Sequence, residues 1–314
     1  MVVLRRVPRR PLKRVSSVVA LGLFDGVHRG HQAILKKAST AVTFHPHPLS
    51  VLHPAAAPPL LMPLEQRLEA FSRCGIKTAL VIPFTRSFSR RSPEWFVEEI
   101  LVRCLKARKV VVGFNFRFGH QRRGTVKTLE RLGRRHGFKV HAVAPVRFHG
   151  VRVSSGKLRE WIRQGKLRQA RRLMKGPAIV VGKVVHGAGR GKGLGFATAN
   201  LKVESGLLPP VGVYAVRARI NKGTRYKVPG TWYSGMANLG FRPTFKKKGT
   251  SLKTAPFLEA HLFSFHLPLY GKRLEVEFVR WLRAERRFPS PRALSRQLLI
   301  DARRVRWYSR PLHD

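Results

Sequence analysis

The sequence predicts an α/β chain in two parts: a Rossmann-like N-terminal part with a parallel sheet, then a small antiparallel β-barrel followed by a terminal helix. Three observations predict it. From Val18 to Val153, short β-branched runs alternate with helical ones. After Gly176-Pro177 the apolar pattern changes to strict alternation. Between Leu21 and His31 the chain reads as strand end, glycine turn and helix start, a geometry that gathers backbone N–H groups around an anion.

The elements follow in order. The first 24 residues hold six Arg/Lys and no acid, and read as a basic segment leading into the first strand. Strands are expected at Val18–Leu23, Ala41–Phe44, Thr78–Pro83, Lys109–Phe114 and Lys139–Val143. Helices are expected between them. Glu65–Cys74 carries Leu68, Phe71 and Cys74 on one face. Pro93–Leu105 opens with Ser92 as N-cap and Pro93 at the first helical position. Thr125–His136 stops at Gly137, a residue suited to a left-handed cap. Only eleven residues separate His31 from Thr43, so the first crossover helix has room for about two turns. From Val153 to Lys175 the pattern is helical with a break at Gly165.

The Gly176-Pro177 pair marks a domain boundary, dividing the chain into residues 1–176 and 177–314. Strands are then expected at Ala178–Val185, Gly212–Ile220, Phe257–Phe265 and Leu274–Leu282. In the last of these, Leu274, Val276 and Phe278 alternate with Glu275 and Glu277, the pattern of a half-buried antiparallel strand. Short strands with Gly/Pro turns suggest a small barrel. A closing helix after Ser290-Pro291 places Leu294, Leu298, Ala302 and Val305 on one face.

Composition bounds the function. No apolar run approaches the roughly 20 residues of a membrane-spanning helix. Two cysteines, Cys74 and Cys104, exclude a disulfide framework, read as core residues, and fit a cytoplasmic protein. The 63 Lys+Arg against 15 Asp+Glu give a formal charge of +48, far more than a nucleotide substrate requires. These residues are spread along the chain, so a general surface bias competes with a nucleic-acid surface. Non-specific polyanion binding follows from the charge either way.

Asp25, His28 and His31 fall within seven residues at the helix start. Imidazoles there suit nucleotidyl transfer, whose transition state gathers charge on phosphate oxygens. Gly30 would let a phosphate approach the backbone. Ser154, Ser155 and Arg159 offer hydroxyls, a helix N-terminus and a guanidinium to leaving phosphates. The same histidines also read as caps, and with His45 and His47 they admit a zinc reading. In the second part, glycine occupies every second position from Gly187 through Gly189, Gly191 and Gly193 to Gly195. With Arg190 and Lys192 this stretch is either a flexible linker or a loop that wraps phosphates. Thr198 and Asn200 offer oxygens to a hydrated Mg²⁺. Glu259, an acid within an alternating strand, is either a solvent-facing carboxylate or a base.

The motifs Gly22-Leu-Phe-Asp-Gly-Val-His-Arg-Gly-His31, Thr43-Phe-His-Pro-His-Pro48, Gly113-Phe-Asn-Phe-Arg-Phe-Gly119 and Ser154-Ser-Gly-Lys-Leu-Arg159 resemble, in that order, the bacterial bifunctional riboflavin kinase/FAD synthetase family. The resemblance continues through Gly195-Phe-Ala-Thr-Ala-Asn200, Gly235-Met-Ala-Asn-Leu-Gly-Phe-Arg-Pro-Thr244, Leu269-Tyr-Gly271 and Leu282-Arg-Ala-Glu-Arg-Arg-Phe288. It implies an adenylyltransferase in residues 1–176 that joins FMN and ATP into FAD and pyrophosphate. It implies a kinase in residues 177–314 that moves the γ-phosphate of MgATP to riboflavin. Carried over, His28 and His31 would stabilise the reacting phosphates. Gly22, Phe24, Asp25 and Gly26 would shape the nucleotide pocket, with Asn115 on the flavin side. Ser154, Ser155 and Arg159 would meet phosphates. Gly187, Gly189, Gly193 and Gly195 would lie along the kinase's phosphates, Thr198 and Asn200 would hold Mg²⁺, Glu259 would be the base, and Arg283 would lie near the flavin. A monomer or weak oligomer is expected.

Three departures from the family pattern stand out: Gly156 where a third hydroxyl is usual, Ala197 where proline is usual, and the short His31–Thr43 segment. They motivate an alternative in which only the kinase is active. The charge motivates another, a basic RNA-binding protein on a degenerate enzyme scaffold.

Overall fold

The structure, a computed structural model, describes residues 1–8, 10, 18–174, 178–186, 198–220, 231–241, 256–265 and 268–308. They form two compact units. The first comprises Met1–Leu60, Leu64–Leu158 and Leu173–Gly176, and the second Leu61–Pro63, Arg159–Arg172 and Pro177–Asp314.

The first unit is built on β1 (Val2–Leu4), β2 (Val18–Leu21), α1 (Arg29–Leu35), β3 (Thr40–His45), α2 (Pro48–Leu52), α3 (Leu64–Arg73), β4 (Thr78–Pro83) and α4 (Arg86–Ser89). Then come α5 (Pro93–Trp95, continuing as a π-helix over Phe96–Cys104), β5 (Lys109–Gly113), α6 (Val126–His136), β6 (Lys139–Val143), the hairpin β7 (Arg147–Phe148) and β8 (Val151–Arg152), and the start of α7 (Ser155–Arg163), whose residues from Arg159 on fall in the second unit. Six strands form one sheet in the order β1-β4-β3-β2-β5-β6, and every neighbouring pair is parallel. Chain order reverses around β2, so the crevice beyond the carboxyl ends of β2 and β5 is the place where such sheets bind ligands.

The expected strands are found within a few residues. Ser92 caps α5 through Trp95 N–H, and Gly137 takes the left-handed conformation after α6. The first crossover helix has seven residues, yet it buries Ile34 and Leu35, while Val19 and Leu21 of β2 are buried in the cluster with Phe96, Val97, Ile100 and Leu129. β1 was not expected: the basic N-terminal segment begins with a strand paired to β4. Both cysteines are buried, as expected of core residues.

The second unit holds α8 (Leu167–Leu173), separated from α7 around Gly165, then β9 (Ile179–Val185), β10 (Ala199–Ser205), β11 (Gly212–Ile220), β12 (Tyr233–Phe241), β13 (Pro256–Leu262), β14 (Arg273–Arg283) and α9 (Pro291–Tyr308). The strands close an antiparallel barrel in the order β10-β13-β12-β11-β14-β9. Helix α9 sits on the barrel through Leu298 and Val305, which pack with Val213, Ala215, Met236 and Leu282.

One expectation is overturned here. β14 is not half-buried with its acids in water: Glu275 and Glu277 are 3% and 1% exposed. Cross-strand arginines explain it. Arg219 Nε donates to Glu275 at 2.6 Å, and Arg217 Nη2 donates to Glu277 at 2.6 Å. Arg171 of α8 approaches Glu277 at 3.5 Å. Paired and hydrogen-bonded, the carboxylates tolerate burial that would otherwise neutralise them.

Candidate active sites

The first unit holds a cleft of about 350 Å³ at the sheet's reversal point. Its walls come from Leu21–Phe24 after β2, Gly113–Arg117 after β5, Val143–Val146 after β6, and Arg152–Ser155 before α7. Into it face His28 and His31.

His28 is the N-cap of α1 rather than part of its first turn. Its Nδ1 accepts the backbone N–H of His31 at 3.2 Å, satisfying one of the helix's open donors. An accepting Nδ1 carries no proton, so the ring proton sits on Nε2. The two rings stack with centroids 3.6 Å apart. Phe24 meets His31 edge-on at 5.3 Å and Phe71 at 5.4 Å. Burial lowers His31 well below the ordinary imidazole range, and its closeness to His28 and to the Arg67 guanidinium lowers it further. The capping and phosphate readings of this pair are therefore compatible: one face of His28 holds the helix, and the other nitrogen is a fixed donor.

Gly30 has a tighter reason than phosphate access. A Cβ there would stand 3.2 Å from the His28 ring. The turn before it is strained, with φ of +53° at Phe24 and +35° at Val27. Arg67 holds that turn. It is 3% exposed, and its Nη1 donates to the Leu23 carbonyl at 2.5 Å, where Thr43 Oγ1 donates at 3.0 Å. Burial lowers the Arg67 pKa, while the Asp25 and Glu65 carboxylates act to raise it. Sequence reading missed Arg67. The signal was its place on the apolar face of α3, beside Leu64, Leu68 and Phe71.

Gly22, Phe24, Asn115, Ser154 and Ser155 line the cleft, whereas Asp25 and Gly26 are buried and outside its lining. Ser154 caps α7, its Oγ accepting from Lys157 N–H at 3.2 Å and keeping its own proton to donate. Ser155 departs from the expectation: its hydroxyl donates to the Asp25 carbonyl at 2.9 Å, so in this arrangement its proton is not directed at a phosphate. Arg159, a turn further along α7, groups with the second unit and is not in the lining. His47 Nδ1 accepts from Leu49 N–H as the cap of α2. Among the described residues no group of three His, Cys, Asp or Glu is placed to hold a metal.

The second unit holds a cavity of about 310 Å³ at one end of the barrel. Thr198, Asn238, Glu259 and Arg283 border it, with Leu294 and Leu298 of α9 on another side. Asn200 lies directly opposite Glu259 on the neighbouring strand, and Asn238 opposite Glu259 on the other. Glu259 thus stands between two asparagines, in the lining rather than out in solvent. Arg283 Nε donates to Asp301 of α9 at 2.9 Å. Asn238 Nδ2 donates to Glu285 at 2.8 Å, which leaves Asn238 Oδ1 buried without a partner. Asn238 lies in a motif the sequence displayed, but nothing in its spacing singled it out. Gly187, Gly189, Gly193 and Gly195, with Arg190, Lys192 and Ala197, lie outside the described residues.

The donor set here suits Mg²⁺. That ion takes few protein oxygens and keeps several waters. A threonine hydroxyl and two amide oxygens meet that demand, and the orphaned Asn238 Oδ1 is an oxygen in need of a partner.

Comparison with known proteins finds a match for each part of the chain. Residues 11–157 match the FAD synthetase family model, and residues 174–309 match the riboflavin kinase model. The bifunctional riboflavin kinase/FMN adenylyltransferase of Listeria monocytogenes is 35% identical over 314 residues, spanning 96% of this chain and 95% of its own. That of Bacillus subtilis is 32% identical over 95% of this chain and 94% of its own. That of Escherichia coli is 33% identical over 90% of each. Among solved structures, the macrolide-efflux protein from Streptococcus pneumoniae superposes with a TM-score of 0.78 at 25% identity, covering 97% of this chain and 98% of its own. Among the described residues no helix is long and apolar enough to cross a membrane. The fold and the paired clefts define a two-site nucleotide-dependent transferase. The chain belongs to the bifunctional riboflavin kinase/FMN adenylyltransferase family.

Proposed function

We propose that the chain makes FMN from riboflavin at the barrel cavity and FAD from FMN at the sheet cleft, consuming one ATP at each. The domains are taken as residues 177–314 and 1–176, and the setting as the cytoplasm. The observation that carries this reading is the pairing of two chemically distinct sites, one with fixed imidazole donors and one with a carboxylate between two asparagines.

In the adenylyl step the FMN phosphate attacks the α-phosphate of ATP, and pyrophosphate leaves. His28 Nε2–H and the His31 ring face the reacting phosphate as preorganised donors. Ser154 and the N-terminal amides of α7 receive the leaving phosphates. The Phe114–Phe116 segment and Asn115 border the flavin. In the kinase step the riboflavin 5′-hydroxyl attacks the γ-phosphate, and Glu259 accepts its proton. Thr198, Asn200 and Asn238 would hold Mg²⁺, which when bound neutralises charge on the transferring phosphate. Arg283, fixed by Asp301, orients the flavin.

The test is incubation of the full chain with MgATP and either riboflavin or FMN, with flavins resolved by chromatography. FMN and FAD are expected from riboflavin, and FAD from FMN. FAD missing from both reactions while FMN forms would leave a kinase alone. Formation of neither FMN nor FAD would overturn the proposal.

A further inference from the structure

Along the chain the basic residues are dispersed; α9 gathers some of them. Its inward face carries Leu294, Leu298, Ala302 and Val305, and it has a single acid, Asp301, which is fully buried. Its exposed residues include Arg292, Arg296, Arg303, Arg304 and Arg306. At 100° per residue these five fall within one arc of about 160°, and Arg292, Arg296 and Arg303 lie within about 40° of one another. The rise from Arg292 to Arg306 is about 21 Å. Leu299 and Ile300, 51% and 45% exposed, fall within the same arc.

Every cation on this face is arginine, whose planar fork suits phosphate oxygens better than a lysine ammonium does. A helix lying in a membrane surface needs a broad apolar face, and here that face is committed to the barrel. Two exposed aliphatic side chains do not replace it. We infer that the outer face of α9 is a docking surface for nucleic acid, engaged through the phosphodiester backbone of a single strand, as a second capacity of the enzyme. Leu299 and Ile300 would then pack against the sugars and bases that the arginines bring down. The opposite face of the helix leaves the kinase cavity undisturbed.

The test uses the full chain and a fluorescent single-stranded oligoribonucleotide, with anisotropy measured across a salt series. The triple variant Arg292→Gln, Arg296→Gln, Arg303→Gln is compared with a charge-matched control on α6, Lys127→Gln, Arg134→Gln, Arg135→Gln. The slope of log affinity against log salt should fall by about 2 in the α9 variant, with affinity roughly tenfold or more weaker at ~0.1 M salt. The control should stay within about threefold of the parent, and the matching Arg→Lys triple should keep the slope. Equal losses in the two Gln triples would overturn the inference, since binding would then be diffuse. So would absence of binding at ~0.15 M salt, or capture by anionic phospholipid vesicles without RNA binding.

Discussion

The backbone N–H of His31 donates to Nδ1 of His28 at 3.2 Å while their rings stack at 3.6 Å. A single histidine thus caps the helix, fixes its own tautomer and covers its neighbour. His31 Nδ1 is buried without a hydrogen-bond partner, and its ring edge borders the cleft. Protonating His31 would place a cation there beside Arg67.

The sign of the resulting pH dependence is fixed. Above about pH 6.5 His31 is neutral in both folded and unfolded chains. Below that the unfolded chain takes the proton first, so stability falls as pH drops toward the lowered folded value, by at most about 1.4 kcal/mol per pH unit. Urea midpoints for the parent and His31→Asn, measured between about pH 7.5 and 5, should diverge because only the parent carries this loss. Parallel curves would show that His31 titrates normally.

Gly30→Ala tests the room left for the cap. The added methyl meets the His28 ring at 3.2 Å, so the ring must yield by a few tenths of an ångström. Better helix propensity offsets part of the strained cap, each about 1 kcal/mol, so stability should change little. The adenylyl step should nevertheless fall at least tenfold, because small misplacements of donors are costly. FMN formation by the same protein should be unchanged, which makes it the internal control.

Arg67→Met removes the donor that holds Leu23 in a strained turn. Thr43 still reaches that carbonyl, so the loss is that of one charge-assisted hydrogen bond, about 1.5–3 kcal/mol by urea denaturation. FAD formation should fall more steeply than FMN formation. A variant as stable as the parent would show that the turn does not need its guanidinium.

Glu259→Gln keeps the shape and removes the carboxylate proposed as the base. Riboflavin phosphorylation should drop by about 10²–10⁴, the range for losing general-base catalysis. FAD formation from supplied FMN should persist at the parental rate. Steady-state assays of the two steps in one protein decide the matter.

Much of this was legible in the sequence because local signals agreed with the fold. β4 and β6 begin and end at the expected residues, since β-branched runs bounded by turn residues admit few other readings. β12 was not legible. Its sequence, Tyr-Ser-Gly-Met-Ala-Asn-Leu-Gly-Phe, is poor in strand formers. Its Gly235 is set by the neighbouring strand: a Cβ there would stand 2.1 Å from the His261 carbonyl. Close approach of backbone overrides propensity and leaves no local trace. Glu275 and Glu277 misled for the related reason that their arginine partners lie some 60 residues earlier on β11. Of the site residues, those in the glycine turn were visible as a cluster. Arg67 and Asn238 were not, because each reaches its site from a distant element.

The last prediction concerns Asp301, which joins α9 to the kinase cavity. Its carboxylate is fully buried and accepts from Arg283 at 2.9 Å and from Gln297 at 2.8 Å. Asp301→Asn leaves the partly buried Arg283 without its countercharge, at a cost of about 3–5 kcal/mol if the site does not relax. The flavin KM should rise more than kcat falls if, as proposed, Arg283 orients the flavin and takes no part in proton transfer. Stability and orientation can be separated. In Asp301→Leu with Arg283→Met both charges are gone, and apolar replacement of a buried pair is often neutral. That double variant should recover most of the parental urea midpoint while keeping the raised KM. If KM recovered along with stability, the pair would serve only to hold the helix on the barrel.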